Sequence, residues 1–150
     1  MARKYKLSSE KGGEILLVDD NLEYLEATRL LLSREGHNVT TAPGGAEALA
    51  ILEKSSFDLI LLDYFMPGMT GEEFVAELRK KNKIIQIILQ TGYASEHPPR
   101  ELLRRLDIQG YFDKSEGPDR LLLWVDVGLK SANSIKQISK SRESLNYILN

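Results

Sequence analysis

Short aliphatic runs alternate with stretches of helical spacing along this 150-residue chain. The strongest run is Leu59-Ile60-Leu61-Leu62, led in by Phe57-Asp58 and closed by Asp63. Four consecutive aliphatics predict a strand buried on both faces. Pro67 and Gly68 then bar the chain from continuing as strand or helix. Glu14-Ile15-Leu16-Leu17-Val18 predicts a second buried strand, closed by Asp19-Asp20. Asp20 or Asn21 is placed to cap the next helix, in which Leu22, Leu25, Thr28 and Leu32 recur on one face before Gly36. Residues 38–42 predict a more polar strand near a sheet edge, broken by Pro43-Gly44-Gly45. Residues 46–53 predict a short helix with Ala48, Leu49 and Leu52 inward. Residues 71–81 predict another that buries Phe74, Val75 and Leu78. Residues 84–89 predict a fourth strand, ending at Gln90-Thr91-Gly92. Pro98-Pro99 fits the first turn of a helix lined by Leu102, Leu103 and Leu106. Residues 110–112 predict a short fifth strand ending at Asp113-Lys114. Gly117-Pro118 opens a last helix, with Leu121, Leu122, Trp124, Val125 and Leu129 inward.

Strand and helix thus alternate five times. That order predicts a doubly wound α/β domain, a five-stranded parallel sheet with helices on both faces, since crossovers are right-handed. Residues 1–13 read as a flexible lead-in and 14–130 as the domain. Residues 131–150, more polar and serine-rich, read as a helical tail or connector. From Trp124 onward, positions 124, 128, 131, 135, 138, 142, 145 and 149 follow a four-three spacing. Trp124, Ile135, Ile138, Leu145 and Leu149 are its large apolar members. A frayed polar tail is the plain alternative to a connector that pairs with its twin or leads into another domain.

Composition removes several function classes. The formal net charge of -2 gives no electrostatic case for nucleic-acid or membrane binding. The chain has no cysteine, which excludes disulfides, thiolate metal sites and cysteine nucleophiles, and fits a cytoplasmic protein. No apolar run approaches the roughly 20 residues of a membrane span. The basic start is not followed by an apolar signal core.

Chemistry gathers where the strands end. Asp19-Asp20, Asp63, Thr91 and Lys114 each follow a strand, and all belong at the carboxyl edge of one parallel sheet, where such folds bind ligands. Taken singly, each has an ordinary reading: a helix cap, two turn residues and a solvated lysine. Taken together, in order, they suit phosphoryl chemistry. Clustered carboxylates favour a hard divalent cation, and Mg2+ prefers such oxygen ligands. A carboxylate can act as nucleophile and form an aspartyl-phosphate. A lysine ammonium pairs with a phosphoryl oxygen, and a threonine hydroxyl donates to another. Asp63 is the candidate reactive group.

Four stretches carry a family resemblance: Leu16-Leu17-Val18-Asp19-Asp20-Asn21; Leu61-Leu62-Asp63-Tyr64-Phe65-Met66-Pro67-Gly68-Met69-Thr70-Gly71; Leu89-Gln90-Thr91-Gly92; and Gly110-Tyr111-Phe112-Asp113-Lys114. Over about residues 14–130 the chain resembles the receiver domains of two-component response regulators. The resemblance implies a flavodoxin-like fold of the chemotaxis-regulator type. It implies a signalling domain, not a classical enzyme, in which Asp63 accepts phosphoryl from a sensor histidine kinase or phosphotransfer protein. It further implies Asp20 as a direct Mg2+ ligand, Asp19 as a ligand through water, Phe65 as a carbonyl ligand, and Thr91 and Lys114 as holders of phosphoryl oxygens. Tyr111 matches the family's switch aromatic. On phosphorylation it would turn inward from solvent as Thr91 moves, changing the face formed by residues 98–106, 110–112 and 118–129. A homodimer through that face or through the C-terminal helix is a further expectation.

Some positions depart from the family pattern. Ser115 stands where a proline usually follows the lysine, so no cis bond is expected there. Phe65 and Tyr93, two residues beyond Asp63 and Thr91, are bulky neighbours that would crowd an attacking water and lengthen the phosphoryl lifetime. The sequence contains no DNA-binding or catalytic output domain. Two other readings compete: a docking module that is never phosphorylated, and an aspartyl-phosphate-forming phosphohydrolase. Phe65 argues against the second, because such enzymes carry another Asp at that position.

Overall fold

The computed structural model describes residues 12–92 and 99–149. Five parallel strands form one sheet in the order β2-β1-β3-β4-β5: β1 (Glu14–Val18), β2 (Asn38–Ala42), β3 (Leu59–Asp63), β4 (Gln86–Thr91) and β5 (Gly110–Asp113). The helices are α1 (Leu22–Arg34), α2 (Gly45–Lys54), α3 (Gly71–Arg79), α4 (Pro99–Arg105) and α5 (Pro118–Leu149). The chain reverses direction across the sheet between β1 and its neighbour β3, which opens a crevice at their carboxyl ends.

Strand alternation sorts the core into two layers. Leu16, Val18, Ile60, Leu62, Ile87, Leu89 and Tyr111 face α2, α3 and α4, whose Ala48, Phe74, Val75, Leu78 and Leu102 cover them. Ile15, Leu17, Leu59, Leu61, Ile88 and Phe112 face α1 and α5, under Leu25, Leu32, Leu121 and Val125. Every residue of β3 is buried, as its aliphatic run predicts. The edge strand β2 is only partly buried, as its polar content predicts.

Several boundaries and faces differ from expectation: Leu103 is exposed, the fourth strand runs on to Thr91 and the fifth to Asp113. The fourth strand starts at Gln86, two residues late. The Asn82 side-chain oxygen accepts the N–H groups of Ile84 and Ile85, both at 3.0 Å, and holds these residues in a turn. Ile84 is left exposed. The third helix ends at Arg79, not 81. Its guanidinium is buried and donates to the carbonyls of Asp107 and Asn82 and to Gln109, tying the helix end to the approach to β5. The second helix extends one residue further at each end than residues 46–53. Leu22 is exposed, because the Asn21 cap sets the first helical turn with that position outward. Pro98 and Tyr93 lie outside the described residues.

The C-terminal stretch is one helix of 32 residues. Its buried stripe is Leu121, Val125, Gly128 and Ala132; it shares Gly128 with the Trp124-based spacing and departs from it by one position at Val125 and Ala132. Gly128 lets the helix lie close on the sheet, since a Cβ there would come within 2.9 Å of Leu59. The helix stays on the domain past residue 131. Ala132 is buried, Ile135 is half-buried, and Lys136 pairs with Asp58 below the entry of β3. Beyond that point the apolar Ile138, Leu145, Ile148 and Leu149 are exposed.

Candidate functional site

The carboxyl edge of the sheet brings together Asp19, Asp20, Asp63 and Lys114. Asp19 follows β1, and its N–H continues the ladder to the Ala42 carbonyl at 3.1 Å. Its side chain is fully buried. One of its oxygens accepts the Asn21 N–H at 2.9 Å, and the other accepts the Lys114 ammonium at 2.6 Å. Asn21 in turn caps α1 by accepting the Tyr24 N–H at 3.1 Å. Asp63 ends β3, is 5% exposed, and lies 3.5 Å from the same ammonium. Asp20 is exposed at the rim. One carboxylate oxygen from each of Asp19, Asp20 and Asp63 falls within 4.8 Å of the others.

The loop after Asp63 is pinned at both ends. The Tyr64 N–H donates to the Gln90 carbonyl at 3.1 Å, and the Gly71 N–H donates to the Tyr64 carbonyl at 2.9 Å. Thr70 and Glu73 form a reciprocal cap that starts α3. Gly71 is required by close approach, since a Cβ there would meet the Tyr64 Cα at 2.9 Å and the Asp63 carbonyl at 3.0 Å. Phe65 sits in this loop with its ring edge-on to Tyr64, centroids 4.9 Å apart. It is exposed, two residues beyond Asp63.

Crowding sets the charge state. The Asp63 carboxyl is pushed up to about 7 from its ordinary 3.8. Burial is the main cause and the Asp19 charge the second, with Lys114 opposing and Asp20 adding a smaller push. When all are ionised, three carboxylates face one ammonium, and two negative charges stay uncompensated. This all-oxygen, anionic and closely spaced donor set fits a hard divalent cation.

Thr91 ends β4, fully buried and one residue beyond the Asp63–Gln90 pair, on the side of the sheet facing α3 and α4. Tyr111, in β5, is paired with Leu89 on the same side. Its ring is already buried, 7% exposed, and not turned to solvent as expected. It fills the layer that holds Tyr64, Met66 and Leu102. Burial raises its phenol pKa, with Asp113 and Tyr64 adding to the shift. After Lys114 the chain makes a 3₁₀ turn, Lys114–Glu116, in which the Asp113 carboxylate accepts both the N–H and the hydroxyl of Ser115, at 2.9 and 2.8 Å. Ser115 thus supplies capping bonds that a proline there could not.

Two residues at the site escaped the sequence reading. The Lys114 ammonium lies 4.4 Å from the centroid of the Tyr24 ring. The Tyr24 hydroxyl donates to the Gln90 side-chain oxygen at 2.9 Å. Burial lifts the Tyr24 phenol to about 12, against a hydrogen bond from Thr28 and with the Asp19 and Asp63 charges adding to the rise. The available signal was Gln90 itself, a polar residue closing an apolar strand with the parity of Ile88.

Comparison with known proteins gives the same direction. The family profile described as response regulator receiver domain matches residues 15–126. The chain is similar to the transcriptional regulatory protein GlrR of Escherichia coli (strain K12), 37% identical over 124 residues, covering 83% of this chain and 28% of that protein. It is similar to the alginate biosynthesis transcriptional regulatory protein AlgB of Pseudomonas aeruginosa, 31% identical over 138 residues, covering 92% of this chain and 30% of that protein. The chain therefore spans less than a third of the length of these two relatives. Among solved structures, it resembles the response regulator protein TrrA of Thermotoga maritima in complex with Mg(2+)-BeF. The TM-score is 0.70 at 35% identity, over 80% of this chain and 100% of that one.

Proposed function

The chain belongs to the response regulator receiver domain family, and on that premise we propose that Asp63 is its phosphoacceptor. The donor is the phosphohistidine of a sensor histidine kinase or a phosphotransfer protein. An Asp63 carboxylate oxygen bonds to phosphorus, the phosphorus–nitrogen bond breaks, and its electron pair returns to the imidazole. The convergence of Asp19, Asp20 and Lys114 on the strand-end Asp63 carries this reading.

Asp20 and Asp63, Asp19 through water, and the Phe65 carbonyl are the groups that would hold Mg2+. When bound, the ion neutralises carboxylate and phosphoryl charge. The chain's own groups do the rest. Lys114 supplies a point charge to one phosphoryl oxygen, and Thr91 donates its hydroxyl to another. Burial keeps bulk water from the Asp63 carboxylate. We assign residues 14–130 to the receiver and 131–150 to a connector formed by the second half of α5, whose first turns still rest on the receiver through Ala132 and Lys136. The chain acts in the cytoplasm. It pairs with a second copy through the face of α4, β5 and α5 or through the exposed rows of α5.

The test is intact mass after incubation with MgCl2 and acetyl phosphate. A labile adduct of one phosphoryl mass, dependent on magnesium and absent from Asp63→Asn but present in Asp58→Asn, supports the assignment. An adduct on Asp63→Asn overturns it. The docking-module reading expects no adduct on the wild type, and the phosphohydrolase reading expects steady turnover of phosphate esters.

A further inference from the structure

We propose that Tyr24, braced by Gln90, is a positioning residue that holds the Lys114 ammonium in place for phosphoryl transfer. The inference rests on the reading of Asp63 as phosphoacceptor and names what prepares the cationic group beside it. Lysine is a strongly hydrated point charge on a flexible four-carbon stem, and such a stem ordinarily carries its ammonium out to water. Here the Lys114 side chain is 21% exposed. Its ammonium is fixed from three directions: Asp19 at 2.6 Å, Asp63 at 3.5 Å and the Tyr24 ring at 4.4 Å. Phosphorylation changes the charge of Asp63, and Asp19 is the carboxylate that would also face the magnesium ion through water. The ring is the one contact of the three that neither takes up phosphoryl nor faces the metal.

The ring is itself held. Tyr24 lies in the first turn of α1, fixed there by the Asn21 cap. Its hydroxyl donates to Gln90 at 2.9 Å and interacts with Thr28 one turn along. Gln90 is fully buried, stands opposite Asp63 in the β3–β4 register, and accepts the Tyr64 N–H through its carbonyl. Asp63, Gln90, Tyr24, Lys114 and Asp19 therefore form one connected unit. Among the described residues the Gln90 side-chain NH2 has no hydrogen-bond partner. A leucine in its place could not accept the Tyr24 hydroxyl, so the side-chain oxygen is what Gln90 supplies to Tyr24 at this position. A cation–π contact has no sharp directional demand. The ammonium can swing from Asp19 to a phosphoryl oxygen on Asp63 without leaving the ring, which keeps the charge organised before the reaction begins.

The experiment compares Tyr24→Phe, which keeps the ring, with Tyr24→Leu, which loses it, in the full chain. Tyr24→Met is the second aliphatic variant should the leucine one melt below the assay temperature. The first readout is the chemical shift of the Lys114 ε-methylene protons without phosphodonor. The ring current displaces them in the wild type and Tyr24→Phe, and Tyr24→Leu returns them to ordinary lysine values. The second is the rate of magnesium-dependent phosphorylation by acetyl phosphate. Tyr24→Leu loses about three- to tenfold in the maximal rate with the half-saturating donor concentration unchanged, and Tyr24→Phe recovers most of it. Wild-type shifts and rates in Tyr24→Leu overturn the proposal, as does an equal loss in Tyr24→Phe, which would move the effect to the hydroxyl. Failure of the wild type itself to form an adduct rejects the phosphoacceptor reading instead, and a normal rate in the wild type separates the two failures.

Discussion

Replacing Asp63 with asparagine in metal-free protein removes a charge that the fold carries at a cost. Burial and the Asp19 charge push the folded-state pKa of Asp63 up to about 7 from 3.8. Between these values the folded chain binds more protons than the unfolded one. The linkage slope is therefore negative, and stability falls as pH rises. The contribution of neutral Asp63 is fully present below about pH 4 and is lost as pH passes through about 7. Roughly three pKa units at about 1.4 kcal/mol each put the cost at pH 8 near 4 kcal/mol at most, since Lys114 can move closer to the ionised carboxylate. At pH 5 only about 1.5 kcal/mol of it has accrued. Asparagine keeps the shape and never ionises, so Asp63→Asn should be more stable than the wild type by a margin that grows across this range. Urea unfolding in EDTA, followed by the fluorescence of Trp124, measures it at pH 5, 6, 7 and 8. Saturating magnesium should stabilise the wild type at pH 8 and narrow the gap, because the cation offsets the same charge. A margin that stays constant with pH, or a variant less stable than the wild type at pH 8, refutes the reasoning.

Asp20→Ala should weaken magnesium binding about tenfold, the equivalent of about 1.4 kcal/mol, and Asp19→Ala should weaken it less; calorimetric titration showing the reverse order rejects the assignment of direct and water-mediated ligands. Gly71→Ala places a methyl against the Tyr64 and Asp63 backbone. It should cost about 1–3 kcal/mol, read as a fall of several degrees in Tm, and an unchanged Tm would show that the loop yields freely. Thr91→Ala should still accept phosphoryl but lose the response beyond the site; backbone resonances of α4 and β5 that shift with beryllofluoride as in the wild type would contradict this. Ile135→Asp with Ile138→Asp should weaken self-association in sedimentation while leaving phosphorylation intact, and a wild type that is monomeric at high concentration removes the dimer proposal.

The parts of the fold legible in the sequence were those decided by local burial. Leu59-Ile60-Leu61-Leu62 had no environment open to it but the middle of a parallel sheet, and that fixed Asp63 at a strand end. The same logic found β1 and, through its polar alternation, the edge strand β2. What escaped was set by partners distant in sequence or by single side-chain bonds. The Asn82 oxygen delays β4 by two residues, and no hydropathy pattern contains that bond. The inward position of Tyr111 depends on room left by Tyr64, Met66 and Leu102. Tyr24 looks like an ordinary helix residue until α1 is laid on the sheet beside Gln90 and Lys114. In α5 the spacing from Trp124 sampled apolar residues correctly but missed the stripe through Val125 and Ala132, because the sheet, not a partner helix, sets the first half of that register.

That division within α5 bears on how the site can act at a distance. The helix begins four residues after Lys114, separated from it by the 3₁₀ turn, and leaves the domain beside Asp58, at the opposite end of the strand that carries Asp63. At 1.5 Å per residue its 32 residues extend about 48 Å. Leu121, Val125, Gly128 and Ala132 seat its first half on β3, β4 and β5. A continuous hydrogen-bonded helix resists bending, so a small shift at the Lys114–Glu116 turn would tilt its free half. Lys136 with Asp58 is the last ion pair holding it to the sheet among the described residues. The Lys136 side chain is 61% exposed, so the pair is screened and contributes little to stability. The seat is therefore firm near the site and weak where the helix departs. With that order of strengths, a change at Lys114 would alter the direction of the exposed rows at Ile138, Leu145 and Leu149 before it disturbed the core.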